Sequence, residues 1–178
     1  MKKIISIAAF LFLLVLTLSI NAATKPKDVY GWDKLRWGMT EEEVVSILGK
    51  EVKKRNTRHD EKDNMYSSLQ LRKIKIADNE FRASLWTDSD TKKLQRIVFV
   101  PEGQPGKYEW AEMFIETENF LVKKYGAPTI EKTSNDPGTS ADRKWIFPST
   151  EIELSYLSLE GSELLLLVFS QKELTSTD

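Results

Sequence analysis

The stretch that decides the fold runs from Met39 to Gly49 and reads MTEEEVVSILG. Thr40 followed three residues later by Glu43 is a capping box, which satisfies two backbone N–H groups at the start of a helix. The three glutamates at 41–43 suit the positive end of the helix dipole. Gly49 is typical of a left-handed helix end. The sequence therefore predicts a short helix that ends at Gly49 and continues into an extended polar stretch.

A second, longer helix is predicted from Tyr108 to Tyr125. Gly126 stops it and Pro128 prevents its continuation. Apolar residues recur at helical spacing along it, which predicts its buried face: Ala111, Phe114, Ile115, Leu121, Val122 and Tyr125.

Strand patterns follow each helix. In the first half, Leu69–Ala77 and Phe81–Thr87 flank the turn Asp78-Asn79, and Leu94–Val100 comes next. In the second half, the corresponding runs are Arg143–Phe147, Glu151–Leu157 and Leu164–Phe169.

The two halves of the chain resemble each other in sequence. The last strand pattern of the first half, Leu94–Phe99, matches Leu164–Phe169, and the helix-ending Gly49 corresponds to Gly126. We therefore expect an α+β fold made of two tandem repeats, each a helix packed on an antiparallel β-sheet with one face left open. A single α+β domain with a chance repeat is the alternative. The expected boundaries are a signal peptide at 1–22, repeats at 23–101 and 107–172, a linker at 102–106 and a polar tail at 173–178.

The N-terminus has the layout of a secretory signal peptide. Lys2 and Lys3 precede the apolar run Ile4–Ile20, and small residues follow at Ala22 and Ala23. Cleavage after Ala22 predicts an exported protein, periplasmic or secreted, without stable membrane insertion. A retained membrane anchor is the alternative.

Residues Trp37–Gly49, with their Gly-Met-Thr, Glu-Val and Leu-Gly elements, resemble the opening of exported bacterial proteins with the β-lactamase-inhibitor-protein-like fold. They are also similar to the small lipoprotein of the outer-membrane β-barrel assembly machinery. The resemblance implies helices on an antiparallel sheet and a non-enzymatic module that binds a protein or an envelope component. The inhibitor presents an acidic hairpin turn to its target, and Asp78-Asn79 occupies a comparable hairpin. This chain lacks the lipoprotein's Cys and the inhibitor's disulfides.

Composition narrows the possible chemistry. The 178 residues contain no Cys and one His, and removal of Lys2 and Lys3 leaves 24 basic residues against 27 acidic ones. This mild negative balance argues against nucleic acid as a partner. Thiol chemistry and Cys/His zinc sites are excluded by composition.

The candidate chemical motifs favour ordinary surface roles. His59 lies in a charge-dense run, 58–63, that we expect to be a solvated loop. Asp60, Glu61 and Asp63, and separately Asp88 and Asp90, could hold Ca²⁺ by spacing alone, but both stretches lack the rest of an EF-hand loop. We therefore predict no catalytic residue, no cofactor and no metal.

Alternation in the second strand of the hairpin suggests a binding surface. Phe81, Ala83 and Leu85 should pack under a helix, which leaves Arg82 and Trp86 on the open face. Tryptophan and arginine are enriched at interfaces. The predicted partner-binding residues are therefore Arg82, Trp86, Asp78 and Asn79, for an unknown protein or envelope component. An envelope assembly factor and an enzyme of unrecognised chemistry are the alternatives, and the sequence does not define the oligomeric state.

Overall fold

The structure is a computed structural model that describes residues 27–103, 109–136, 138–160 and 162–172. The predicted signal peptide at 1–22 and polar tail at 173–178 lie outside the described residues. So do residues 104–106 of the predicted linker.

The described residues form an α+β fold, as predicted, in which eight strands make one antiparallel sheet. The sheet order is β3-β4-β5-β6-β10-β9-β8-β7, and β1 and β2 form a separate small hairpin. The helices are α1 (Glu41–Leu48) and α2 (Glu109–Tyr125), with a short 3-10 turn at Gly49–Glu51. The strands are β1 (Gly31–Trp32), β2 (Leu35–Arg36), β3 (Val52–Asp60), β4 (Met65–Ile76), β5 (Asn79–Asp88), β6 (Leu94–Pro101), β7 (Ile130–Ser134), β8 (Thr139–Ile146), β9 (Thr150–Leu159) and β10 (Ser162–Gln171).

The strands of the two halves belong to one continuous sheet rather than to two. The join is the antiparallel pair β6–β10, in which Val98 lies opposite Val168. These are the two strands whose sequences match between the halves. Pairing them removes an edge from each half and leaves β3 and β7 as the edges of the sheet.

Helix α1 begins as its sequence predicts. The Thr40 side chain accepts a hydrogen bond from the Glu43 N–H at 3.3 Å, and the Thr40 N–H donates to Glu43 Oε2 at 2.8 Å. Gly49 ends the helix at φ 54°, and its N–H donates to the Val45 carbonyl. The positive φ explains the glycine.

Helix α2 buries three of the six predicted residues, Phe114, Leu121 and Tyr125. The other three, Ala111, Ile115 and Val122, are exposed, with Ile115 at 55%. Met113 and Thr117 complete the buried side instead. The sheet selects this side, because Tyr125 meets Phe169 edge to face and Phe114 lies against Tyr156.

Both hairpin-forming loops differ from the predictions. The β4–β5 turn is Ala77-Asp78, because Asn79 already pairs with Ile76, and Ala77 adopts φ 53°. The Asn79 amide instead donates to Glu116 Oε2 on α2, at 2.7 Å. The run 58–63 is a loop only from Glu61 onward, since β3 continues through His59 to Asp60.

The core lies between the sheet and the helices. Phe99 sits at its centre, edge to face with Trp32 at 5.0 Å and with Phe169 at 5.8 Å between ring centroids. Phe81, Ala83 and Leu85 are buried on this same side, as predicted. The opposite side of the sheet carries neither described helix, and we call it the open face.

Candidate functional site: the open face

Strand register shows how the open face is composed. One row of opposed residues crosses from β4 to β8: Gln70, Ser84, Val98, Val168, Glu153 and Lys144. Directly opposed residues in an antiparallel sheet point to the same side. The row therefore changes from neutral polar groups, through a valine centre, to an ion-paired end where Lys144 Nζ lies 3.7 Å from Glu153.

Arg82 and Trp86 both lie on this face, and each sits opposite a β-bulge. Arg82 is opposed by two residues of β4, Arg72-Lys73, and Trp86 by Ser67-Ser68. A bulge puts two residues opposite one, bends the strand and re-aims the side chains around it. Arg82 is exposed, whereas Trp86 is half-buried.

The edge strand β3 carries a third and larger irregularity. Between the pairs Lys54–Leu69 and Arg58–Ser67, β3 has three residues (55–57), whereas β4 has only Ser68. The strand pairs β7–β8, β8–β9 and β9–β10 have no register shift over their described residues. The irregular pairing is thus concentrated in the strands that surround Arg82 and Trp86.

These bulges open a groove of about 760 Å³ on the open face. Four basic residues line it together with four neutral polar residues and one leucine: Lys54, Arg55, Arg58 and Arg82; Asn56, Ser67, Gln70 and Ser84; and Leu69. None of the described residues that line it is acidic. We call this the basic groove.

Hydrogen bonds to neutral side chains hold two of its arginines in place. Arg58 Nη2 donates to Ser84 Oγ at 2.8 Å, and Arg55 Nε donates to Gln70 Oε1 at 3.1 Å. The Arg58 guanidinium also lies 5.7 Å from the centre of the Trp86 ring, within the range of a cation–π interaction. Each of these bonds therefore restricts the orientation of a guanidinium group without neutralising its charge.

Arg82 makes no hydrogen bond or ion pair with any residue that the structure describes. Its neighbour Glu102 is bound by Arg72, whose Nε donates to Glu102 Oε1 at 2.9 Å. That bond to Arg72 is the main cause of a lowered Glu102 pKa, and the charge of Arg82 adds to it. Among the described residues, the donors of Arg82 therefore stay free, while Arg72 binds Glu102 through Oε1 and leaves Oε2 without a hydrogen bond.

Two smaller grooves continue from the basic groove across the open face. The first, of about 320 Å³, includes Trp86, Arg96, Val98 and Val100. The second, of about 420 Å³, reaches Leu166 and Val168 in β10 and ends at Glu151 and Glu153 in β9. We call Val98, Val100, Leu166 and Val168 the aliphatic strip.

The structure separates the four predicted partner-binding residues into two groups. Arg82 and Trp86 share the open face, but Asp78 and Asn79 lie at the β4–β5 hairpin tip beside α2. That tip borders a distinct acidic groove of about 540 Å³, whose carboxylates are Asp78, Glu80, Glu102, Glu109, Glu112 and Glu116.

The two acidic stretches that could hold Ca²⁺ by spacing alone make protein contacts. Asp63 and Asp60 face Arg96, whose Nη2 lies 2.8 Å from Asp63. Asp88 accepts from the N–H and hydroxyl of Thr91, and these bonds lower its pKa. Within the described part of the chain, no three His, Cys, Asp or Glu side chains are placed to share a metal ion.

Paired carboxylates on the second half also lie on the open face. Glu151 and Glu153 both approach Lys144 Nζ, at 2.7 and 3.7 Å. The hydrogen bond from Lys144 to Glu151 is the main cause of a raised Lys144 pKa. The raised pKa favours the charged form of Lys144.

The basic groove was not predicted from the sequence, although one signal for it is present. Four of the six residues from Lys53 to Arg58 are basic. The strand β3 brings this run to the edge of the sheet, and β5 adds Arg82 from a distant position in the chain. A local positive surface can thus form on a chain whose formal net charge is −1.

No protein-family model matches the chain, and no curated protein or solved structure is significantly similar to it. Among the described residues, no helix combines the length and the apolar character needed to cross a membrane.

Proposed function

We propose that the chain is an exported, non-enzymatic binding module that holds a protein partner on the open face, around Arg82 and Trp86. The observation that carries the proposal is the placement of both residues opposite bulges that open a groove on an uncovered sheet face. Bulges recur next to functional sites, where they re-aim side chains. The partner is an unidentified protein or envelope component.

The proposed architecture is two tandem repeats, each a helix followed by four strands. The register between β6 and β10 supports it, because Ile97 pairs with Phe169 and Phe99 with Leu167. In the sequence match between the halves, Ile97 corresponds to Leu167 and Phe99 to Phe169. When each residue is exchanged for its counterpart, the pair Ile97–Phe169 becomes the pair Leu167–Phe99. This is the relation that a local two-fold axis between Val98 and Val168 requires. The same architecture supports the resemblance to inhibitor-protein-like modules.

Export is proposed from the N-terminal sequence. The basic pair, the apolar run and the small residues at 22–23 support a cleaved signal peptide. The absence of Cys is compatible with an oxidising compartment, since no thiol needs protection there.

A binding role is supported by the electrostatics of the open face. The shifts at Lys144 and Asp88 favour the charged forms and follow from local hydrogen bonds. A general acid or base needs the opposite arrangement, with a pKa moved toward the working pH.

The test is affinity capture from cell-envelope extract with wild-type protein and the Arg82→Ala and Trp86→Ala variants, followed by mass spectrometry. Arg82 is the cleaner probe, because it is exposed and unpaired and its removal should leave the melting temperature unchanged. We expect a protein that wild type retains to be depleted at least tenfold by Arg82→Ala. Lys123→Ala, an exposed cation on α2, is the control. Equal retention of every captured protein by all variants contradicts the proposal.

A further inference from the structure

The arginines of the basic groove differ from three other arginines of the sheet, which form ion pairs. Arg72, Arg96 and Arg143 each contact a described carboxylate, on Glu102, Asp63 and Glu118 respectively. Groove arginines Arg55 and Arg58 instead bond to an amide and a hydroxyl, and Arg82 bonds to no described residue. A guanidinium has five donors in a planar fork that matches a carboxylate. The groove therefore presents three guanidinium groups with donors left for anionic ligand atoms.

The aliphatic strip lies directly beside these cations. Ser84 is opposite Val98, and Val98 is opposite Val168. Strands in a sheet are about 4.8 Å apart, so Val168 lies about 10 Å from the groove floor at Ser84. A ligand that fills both the basic groove and the aliphatic strip must carry anionic and apolar groups about 10 Å apart. In an extended polypeptide this distance corresponds to about three residues.

Two features favour a polypeptide over a nucleic acid. Arg58 already lies over the Trp86 ring, which removes a face on which a base would stack. Beyond the aliphatic strip, Lys144 and Lys172 balance the charges of Glu151 and Glu153, so that end of the face adds no excess of positive charge for a long polyanion.

We infer that the open face recognises an acidic–apolar polypeptide segment, with carboxylates in the basic groove and aliphatic side chains on the aliphatic strip. This inference rests on the proposed function and adds the chemistry of the partner. Carboxylates accept bidentate hydrogen bonds from Arg82 and Arg58. Aliphatic side chains of the ligand cover Val98 and Val168, which are half-buried in the free protein.

The test is fluorescence anisotropy with a defined probe, a peptide of three Glu, a Gly-Ser spacer and Leu-Val-Leu that carries an uncharged dye. Companion probes replace the three Glu with Gln, or the apolar residues with Ser, and an oligothymidylate of similar length serves as a polyanion. The protein variants are Arg82→Gln, Arg58→Gln and Val168→Ser. Lys123→Gln changes the charge equally on α2 and is the matched control. Melting temperatures establish that each variant is folded.

We expect the acidic–apolar peptide to bind at least tenfold more tightly than either companion peptide. Arg82→Gln and Arg58→Gln should each weaken it at least threefold, and more at low salt, while Lys123→Gln leaves it unchanged. Val168→Ser should reduce affinity only for probes that carry the apolar residues. Equal binding of the Gln peptide, or tighter binding of oligothymidylate, overturns the inference. So does the absence of binding at millimolar peptide.

The two proposals fail in different ways. If capture identifies a partner that Arg82→Ala releases, but that partner contacts the open face without an acidic segment, the binding module stands and the acidic–apolar inference fails. If the peptide binds as expected while no envelope protein depends on Arg82, the groove chemistry stands and the proposed function fails.

Discussion

Replacing Gly49 tests the junction between α1 and the strand that carries Arg55 and Arg58. Gly49 adopts φ 54° and ψ −119°, outside the regions allowed to residues with a Cβ. No atom lies within 4 Å of the Cβ that a substitution would add, so crowding contributes nothing. Holding a non-glycine residue in such a conformation costs about 1–3 kcal/mol.

The unfolded chain partly offsets this cost. Replacing glycine lowers the entropy of the unfolded state, which is worth about 0.4–1 kcal/mol in the stabilising direction. Gly49→Ala should therefore lose about 1–2 kcal/mol net. A chain of this size shifts by about 2–4 °C for each kcal/mol, which predicts a melting temperature about 2–8 °C lower.

Urea and thermal unfolding of Gly49→Ala, Gly49→Val and the exposed helix variant Ser46→Ala measure this effect. Val should be at least as destabilising as Ala, because a β-branched residue is disfavoured further at positive φ. Ser46→Ala should stay within about 0.5 kcal/mol of wild type. An unchanged midpoint for Gly49→Ala refutes the positive φ, and a Val variant that is more stable than Ala contradicts the backbone argument.

Three further outcomes are expected. Gly126→Val should lose about 1 kcal/mol or more in urea unfolding, because Gly126 has φ 88°. His59→Ala should leave both the melting temperature and partner capture unchanged, since the side chain is exposed; a tenfold loss of capture would assign it a role. Burial raises the pKa of Asp28, but hydrogen bonds from Ser149 and Val29 outweigh it, so the folded pKa lies below 3.8. The ionised Asp28 therefore contributes to the free energy of unfolding above pH 3.8, and this contribution is lost as the pH falls through the folded pKa. The stability of Asp28→Asn should consequently fall less steeply than that of wild type below about pH 4.

Features that depend on neighbouring residues could be predicted from the sequence. The capping box at Thr40 and the burial of Phe81, Ala83 and Leu85 follow from local spacing, and the structure contains both. The exposed Ile115 could not be predicted in the same way, because the apolar surface of α2 is wider than the side that the sheet covers. The sheet covers the side that contains Phe114 and Met113, and Ile115 lies outside it.

The edge strands and the groove could not be predicted for a related reason. Strands β3 and β7 lack apolar alternation, because an edge strand exposed on both faces has no side that must be apolar. The hairpin turn shifted by one residue, to Ala77-Asp78, because the pairing of Ile76 with Asn79 outweighs the unfavourable φ of Ala77. Strand register is a non-local property, and all the bulges that form the groove are changes of register.

The difference between the two edges of the sheet supports the proposed binding role of β3 beyond edge protection. Charged residues on an edge strand prevent pairing with other chains, and any exposed lysine meets that need. At the other edge, β7 carries Glu131 and Lys132 and pairs with β8 without a shift. On β3, protection would be equally complete with lysines at 55 and 58. Both positions instead hold guanidinium groups, which bond to Gln70 on the neighbouring strand β4 and to Ser84 on β5. Such bonds orient the cations toward the groove, which edge protection does not require and recognition of a carboxylate does.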